Sequence, residues 1–552
     1  MEARCPIELA GSGLQSPGLA LGSPRKGAPF VSGRHTACTV ARPERNQVQE
    51  KRGGISLVGR LREFWIGRAD LAPVALFRIV YGIELFNWFW QLFPNIAAFF
   101  TDEGFMPRTL LVTMFPDRFS LITGMGTWWQ VAIFWAACLA VAVMLTIGWH
   151  TRTACLLAFV GVASFEWRNP LLLDGSDIVF RLIPFWLALT NCGDLYSVDA
   201  ATRRARGEVL SGNGPALPVR VLELQVGWIY LMTGLEKMAG TLWTNGTATY
   251  YALQLEHTFG RSWAYPLATN MIVVHVMSWG TLVVELLFLP LSVIPSRITR
   301  LIAVVGAAML HGGILTMMNV GNFPVIMLST LILFLPAEWV RTFVDGIQMR
   351  IGPRFTPRLA AATAGATREL RRVPVMPVRT ARLTDIRAAR IAGAAILLAV
   401  TAVAFSSAFP SWAAAYRPQG DLARVLVFSS LDQRWDMFSP DPAQADGWML
   451  APAKLADGST YDLLTGGPVS TAPRWSDPLY TRWVKVFERI ANSGYTDYRL
   501  EFGRSFCRLR NFHLQPGQSP LDTFDLNYVE RTIHAPGEPP TLQEFHIWSH
   551  QC

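Results

Sequence analysis

Nine apolar runs, each near the length that crosses a bilayer, constrain this chain more than any other feature. They fall at about 71–94, 128–147, 152–167, 177–192, 219–239, 271–294, 299–318, 322–337 and 391–409. About 20 consecutive apolar residues span a hydrocarbon core of roughly 30 Å. Inside that core only helices or closed barrels satisfy their own backbone polar groups. The runs at 152–167, 177–192 and 322–337 are short, so each reads as tilted or re-entrant as readily as spanning. The predicted fold is mainly α, a polytopic transmembrane helix bundle of about 8–9 spans. The 552 residues could build several soluble domains, but this patterning commits most of them to lipid.

Charge placement sets the expected sidedness. Residues 1–60 are rich in Gly, Pro and Arg and have no apolar core of the kind a signal peptide needs. They read as a disordered basic arm, or as an over-extended start. A formal charge of +9 raises the question of nucleic acid. The arginines, however, flank apolar runs as the positive-inside rule requires, so no nucleic-acid partner is expected. Arg203, Arg204 and Arg206 follow the fourth run, and 338–390 holds eleven arginines and no lysine. A cytoplasmic N-terminus places the arm and both loops inside. The expected organisation is an arm at 1–60, a bundle at 61–340, a basic cytoplasmic loop at 341–390, a last span at 391–409 and an extracytoplasmic region at 410–552.

That last region changes character. GWMLAPAKLADGSTYDLL predicts a hairpin turning at Asp457–Gly458, two helical stretches follow near 480–510, and FDLNYVERTI and LQEFHIW read as strands. A small C-terminal α+β extramembrane domain is the expectation. Of seven cysteines only Cys507 and Cys552 fall on this oxidising side, and two thiols without a spacing signature leave their bridging open. No metal-binding or phosphate-binding motif occurs in a convincing context, so no metal is expected.

Charged residues within spans cost a few kcal/mol each and face a bundle interior, a cavity or one another. Arg78, Glu84, Arg181 and Glu223 read as helix-to-helix pairing or snorkelling, and Glu285 is a further carboxylate in the sixth run. Lys237 is different, because the chain has five lysines and none other between Lys51 and Lys454. It ends the fifth run, in IYLMTGLEKMAG. On the assumed topology it reaches the outer end of its span, as does His311 in the seventh run. The loop WRNPLLLDGSDIVFR, with Asn169, Asp174 and Asp177, lies on the same face. Helical periodicity puts Tyr230, Thr233 and Gly234 on the face of Lys237, with Gly234 leaving room for something to approach. A desolvated ammonium can lose its proton near neutral pH, whereas a guanidinium cannot. Two readings therefore stand for Lys237, a general base or an ammonium snorkelling to headgroups. His311 is likewise a catalytic group or a hydrogen-bonded interior histidine. Glu236 points about 100° away and is not automatically a partner of Lys237.

Several segments in order resemble one family. LFRIVYGIELFNWFW, FFTDEGFMPR, RNPLLLDGSD, LQVGWIYLMTGLEKMAGTLWTNGTATYYAL and HGGILTMMNVGNFPVIML, across roughly 65–340, are similar to the HTTM family. That is the membrane domain shared by the vitamin K-dependent gamma-carboxylase and many bacterial proteins. QRWDMFSPDP…ADGWML resembles the tails of the bacterial members. The resemblance implies a bacterial inner-membrane protein with reduced quinone, a vitamin K-like hydroquinone, as cofactor. It implies Lys237 as the base that deprotonates the quinol, with His311 beside it. It also implies the Asp174–Asp177 loop near the quinone or substrate. That loop, with Asn169 on the same face and Gly234 and Tyr230 on the face of Lys237, is the expected cofactor site. A protein or peptide substrate is expected on the extracytoplasmic side. Membrane lipids are the remaining partner. The chain departs from the carboxylase in having Glu236–Lys237 where that enzyme has two lysines, and in a shorter outer region. The competing expectation is a non-enzymatic transporter or assembly scaffold whose charges serve packing, although no repeated pair of broken helices supports transport.

Overall fold

The computed structural model describes residues 56–347, 349–350, 383–469, 480–512 and 514–552. Most of the arm at 1–60 and of the loop at 341–390 lies outside the described residues. A short helix, α1 (Leu57–Ile66), leads into the bundle, and two short strands, β1 (Arg68–Asp70) and β2 (Asn213–Pro215), pair antiparallel beside it. All nine apolar runs are helical: α2 (Ala72–Leu92), α3 (Trp128–Ile147), α4 (Thr151–Arg168), α5 (Gly175–Leu189), α6 (Ala216–Lys237), α7 (Met271–Val293), α8 (Arg297–Met317), the broken pair α9 (Phe323–Thr330) and α10 (Ala337–Ile347), and α11 (Leu383–Ser406). Their ends follow local chemistry. Thr127 and Gln130 form a capping box that starts α3, and Gly148 at φ 69° closes it in the left-handed conformation. Asp174 and Asp177 form the same kind of box at the start of α5.

Among the described residues three helices, α3, α7 and α8, are long and apolar enough to cross a membrane, or four if the α9–α10 pair is one bent span. The expected eight or nine spans are not reached on that measure. The other runs are shorter or more polar, as in α6, which carries Arg220, Glu223, Glu236 and Lys237. The eighth run is not a single rod. The α9 helix tightens into a 3-10 turn at Leu331–Phe334 and meets α10 at 109°. Pro336 is the cause: it lacks an N–H and forces the preceding Leu335 out of the helical region, to ψ 149°.

Within the bundle α2 packs on α3, α4 on α5, and α7 against both α6 and α8. The charges set aside for packing all find partners. Arg181 meets Glu166 at 2.9 Å and Asp432 at 3.2 Å, Glu223 accepts from Arg220 and Arg300, Glu84 accepts from Ser329, and Arg78 donates to the Tyr196 carbonyl.

After α11 the chain makes a 3-10 segment at Ser411–Tyr416 and a short helix, α12 (Gly420–Phe428). Beyond them lies the α+β region. Strands β3 (Ala445–Leu450), β4 (Pro452–Leu455), β5 (Thr460–Asp462), β6 (Leu521–Thr532) and β7 (Thr541–Gln551) form one antiparallel sheet. β4 and β5 are the expected hairpin, with Gly458 at φ 86° in its turn. Helices α13 (Tyr480–Ala491) and α14 (Thr496–Asn511) complete it, and Cys507 is bridged to Cys552, tying α14 to the end of β7. One hydrophobic core runs from the bundle into this region. Phe105, from the loop FFTDEGFMPR, inserts its ring between Trp483 (4.9 Å) and Phe502 (4.7 Å).

Candidate functional site

The α6 helix carries glycine where it crosses α7. A Cβ at Gly227 would meet Leu289 Cδ1 at 2.5 Å, and one at Gly234 would meet Glu285 Cβ at 3.0 Å. Close approach of the two helices therefore depends on both glycines. The space predicted at Gly234 is filled by α7 and not by a ligand. That approach brings Lys237, the last residue of α6, to Glu285. Its Nζ donates to both carboxylate oxygens at 2.8 and 3.0 Å, and both residues are buried. Trp243 lies with its ring 5.1 Å from the ammonium.

Two turns back on the same face, the Tyr230 ring stacks on Phe288 at 4.1 Å and meets the His311 imidazole edge-on at 5.5 Å. The hydroxyl of Tyr230 and both ring nitrogens of His311 are buried and have no hydrogen-bond partner among the described residues. Buried polar atoms are nearly always paired, so an orphaned set at one spot points to an occupant.

All four side chains converge on a cavity of about 730 Å³. Most of its wall is apolar and comes from α6, α7, α8 and α9. At the end facing the α+β region the wall becomes polar, with Asp174, Asp436, Asp441, Lys485 and Arg489. Asp441 accepts from the backbone N–H groups of Thr241 and Leu242, and Trp243 donates to the Phe438 carbonyl, so residues 436–441 are tied over the end of α6. Lys485 pairs with Glu488 at 2.9 Å and sits over the Phe259 ring, while Arg489 donates to the carbonyls of Pro170 and Leu173.

The structure thus brings together Lys237, His311, Tyr230 and Asp174, and places three other predicted residues in packing roles. Asn169 bonds the Phe99 carbonyl and the Leu171 N–H. Asp177 accepts from Trp88 and pairs with Arg482 at 2.8 Å. Gly234 is the helix contact just described. Asp174 both lines the wall and caps α5: it accepts from the Ser176 N–H, and burial, then the charge of Asp177, pushes its carboxyl up from the usual value. Glu236 turns away from Lys237 and accepts from the Ser411 N–H and hydroxyl. Sequence reasoning missed Glu285 as the partner of Lys237, although it is the one carboxylate in its helix. It also missed Lys485 and Arg489, for which no local pattern gave a signal, and it singled out 436–441 only within the tail motif QRWDMFSPDP, with no place in the site.

Comparison with known proteins agrees with this architecture. Residues 67–339 match the HTTM domain family. The chain is 27% identical over 218 residues to "Uncharacterized protein YitO" of Bacillus subtilis (strain 168), covering 38% of this chain and 69% of that protein. It is 26% identical over 205 residues to "Sporulation-delaying protein SdpB" of the same organism, covering 35% of this chain and 60% of that one. No solved structure matches the chain.

Proposed function

Because residues 67–339 form an HTTM domain, we propose that this protein is a membrane enzyme that binds a reduced quinone in the α6–α9 cavity. Lys237 acts there as the base, with Glu285 as its proton-sharing partner. The observation that carries this reading is the set of orphaned polar atoms on Tyr230 and His311, beside a buried Lys–Glu pair, in a mostly apolar cavity. A quinol ring fits that wall: it is flat and largely apolar, and its two oxygens suit the hydroxyl of Tyr230 and a nitrogen of His311. When bound, a quinol supplies reducing electrons and an acidic phenol.

The side chains of this protein do the rest. Lys237 and Glu285 touch at 2.8 Å, so a proton shift inside the pair leaves a free amine beside a carboxylic acid. An amine so formed can take a phenolic proton, and the packed glycines of α6 keep it in place. Water is held off by Trp243 and by residues 436–441 above it. His311 and Tyr230 orient the ring. The reaction class we assign is carboxylase-like, on a peptide or protein that approaches from the polar end of the cavity. The protein sits in a bacterial plasma membrane with its N-terminus cytoplasmic and the α+β region outside.

The test is mass spectrometry of lipids extracted from the purified full chain, paired with quinol turnover. Wild type carries quinone, Lys237→Ala loses it at least tenfold, and Lys237→Arg folds but turns over at least a hundredfold more slowly. Normal turnover in the Arg variant, or no quinone in wild type, would leave only a packing role for the pair, as in a transporter or scaffold.

A further inference from the structure

The cavity has a second side, formed by α7 and α8. There its wall is made by Val276, Gly280 and Val284 of α7 and by Gly306, Met309 and Gly313 of α8. Val276 and Met309 are also 66% and 69% exposed on the outside of the molecule, and Gly280 is exposed with them. At this place one layer of side chains separates the cavity from the surroundings.

Glycine geometry shows where the two helices part. A Cβ at Gly306 would meet Val284 Cγ2 at 3.2 Å, so the helices touch there. A Cβ at Gly280 or Gly313, further from the connecting turn, would meet nothing within 4 Å. The pair therefore splays from its turn and leaves a slot beside the cavity. The outer rim is apolar, with Ile272, Trp279, Val283 and Val305 all exposed. Both helices are among the three apolar enough to cross a membrane alone. An uncharged slot in such helices opens onto acyl chains, and what it admits is hydrocarbon.

We infer that the ligand enters from the lipid phase between α7 and α8, and that a long hydrocarbon tail remains in this slot while the ring lies at Lys237 and Tyr230. The inference rests on the quinone reading above and narrows it to a class, a lipid quinone with a polyprenyl or alkyl tail. Slot and head group are then read by different residues, glycines and Met309 for the tail, the polar cluster for the ring.

The experiment uses the full chain in nanodiscs and two probes, a menaquinone with a polyprenyl tail and tailless menadione. The readout is the ratio of bound long-tailed to bound tailless probe. The double variant Gly280→Leu/Gly313→Leu fills the slot, and the ratio is expected to fall at least tenfold. Gly312→Leu adds one leucine next to the slot position, off the cavity wall, and is expected to keep the ratio within twofold of wild type. An unchanged ratio in the slot variant, with both probes bound, overturns the lateral path and leaves the quinone reading standing. Equal loss of both probes in that variant also overturns it, since the cavity and not the tail path was then lost. Failure of both probes to bind wild type better than Lys237→Ala removes the quinone reading and this inference together.

Discussion

At the scale of single residues, the site is built by two glycines and one ion pair. Gly227 and Gly234 let α6 and α7 meet, and their contact fixes Lys237 against Glu285. A buried pair is costly to break from one side, because the surviving charge has no solvent to turn to. Glu285→Leu should therefore lower stability in detergent by about 3–5 kcal/mol, and Lys237→Met/Glu285→Leu should recover most of it. Apparent melting temperatures of the three variants check this, and equal losses in the single and double variants would contradict it. Lys237 was legible in the sequence because lysine is so rare here and because periodicity places Tyr230 on its face. Glu285 was visible as a charge in its span, but nothing local said which helix it would meet. A contact between residues 48 apart is decided by helix packing and leaves no trace in spacing.

At the scale of elements, patterning predicted well where one helix or strand is dictated by its own residues. The hairpin at 452–462, helices α13 and α14 and strands β6 and β7 all lie where turn chemistry and alternation put them. The run at 322–337, read as tilted or re-entrant as readily as spanning, is α9 with its 3-10 turn, and it meets α10 at 109° across Pro336. The loop before α7 gives a test of a different kind. His257 donates its backbone N–H to Asp446, and its ring lies tilted against Trp448 at 4.1 Å. Burial holds its imidazole below the ordinary value; Asp446 and Glu256 oppose that, and Arg531 adds to it. The folded state thus prefers the neutral ring. Its contribution to stability is complete above the unfolded value of about 6.5 and is lost as pH falls from there through the lower folded value. Corrected for the intrinsic pH dependence of amide exchange, protection at residues 254–261 should be lower at pH 5.5 than at 7.5. His257→Gln should flatten that difference, and a persisting difference in the Gln variant would assign it elsewhere.

At the scale of the whole molecule, the sequence reading separated a bundle from an outer domain, and the structure joins them through one core. Composition could show that 410–552 is polar, but not that Phe105 would reach up between Trp483 and Phe502. The joint also contains buried charge. Arg482 donates to both oxygens of Asp177 and to the Leu172 carbonyl; burial works against its charge, yet Asp177 more than compensates and holds it above the ordinary value. Arg482→Leu leaves the Asp177 carboxylate buried without its cation. Limited proteolysis should then cut within 480–511 at least tenfold faster than in wild type, while the bundle fragment stays intact. Unchanged cutting would mean that the aromatic cluster alone holds the joint.

Residues 436–441 that cover the end of α6, and Lys485 and Arg489 at its polar mouth, are all distant in sequence from the lysine they enclose. A ribosome adding about 5–20 residues per second makes Lys485 on the order of tens of seconds after Lys237. Once α7 has been made the bundle holds Lys237 against Glu285, but residues 436–441 do not yet cover them. A chain released at that stage would carry the ion pair without its cover, so a late-made segment is what turns a bare polar spot in a helix bundle into an enclosed chamber.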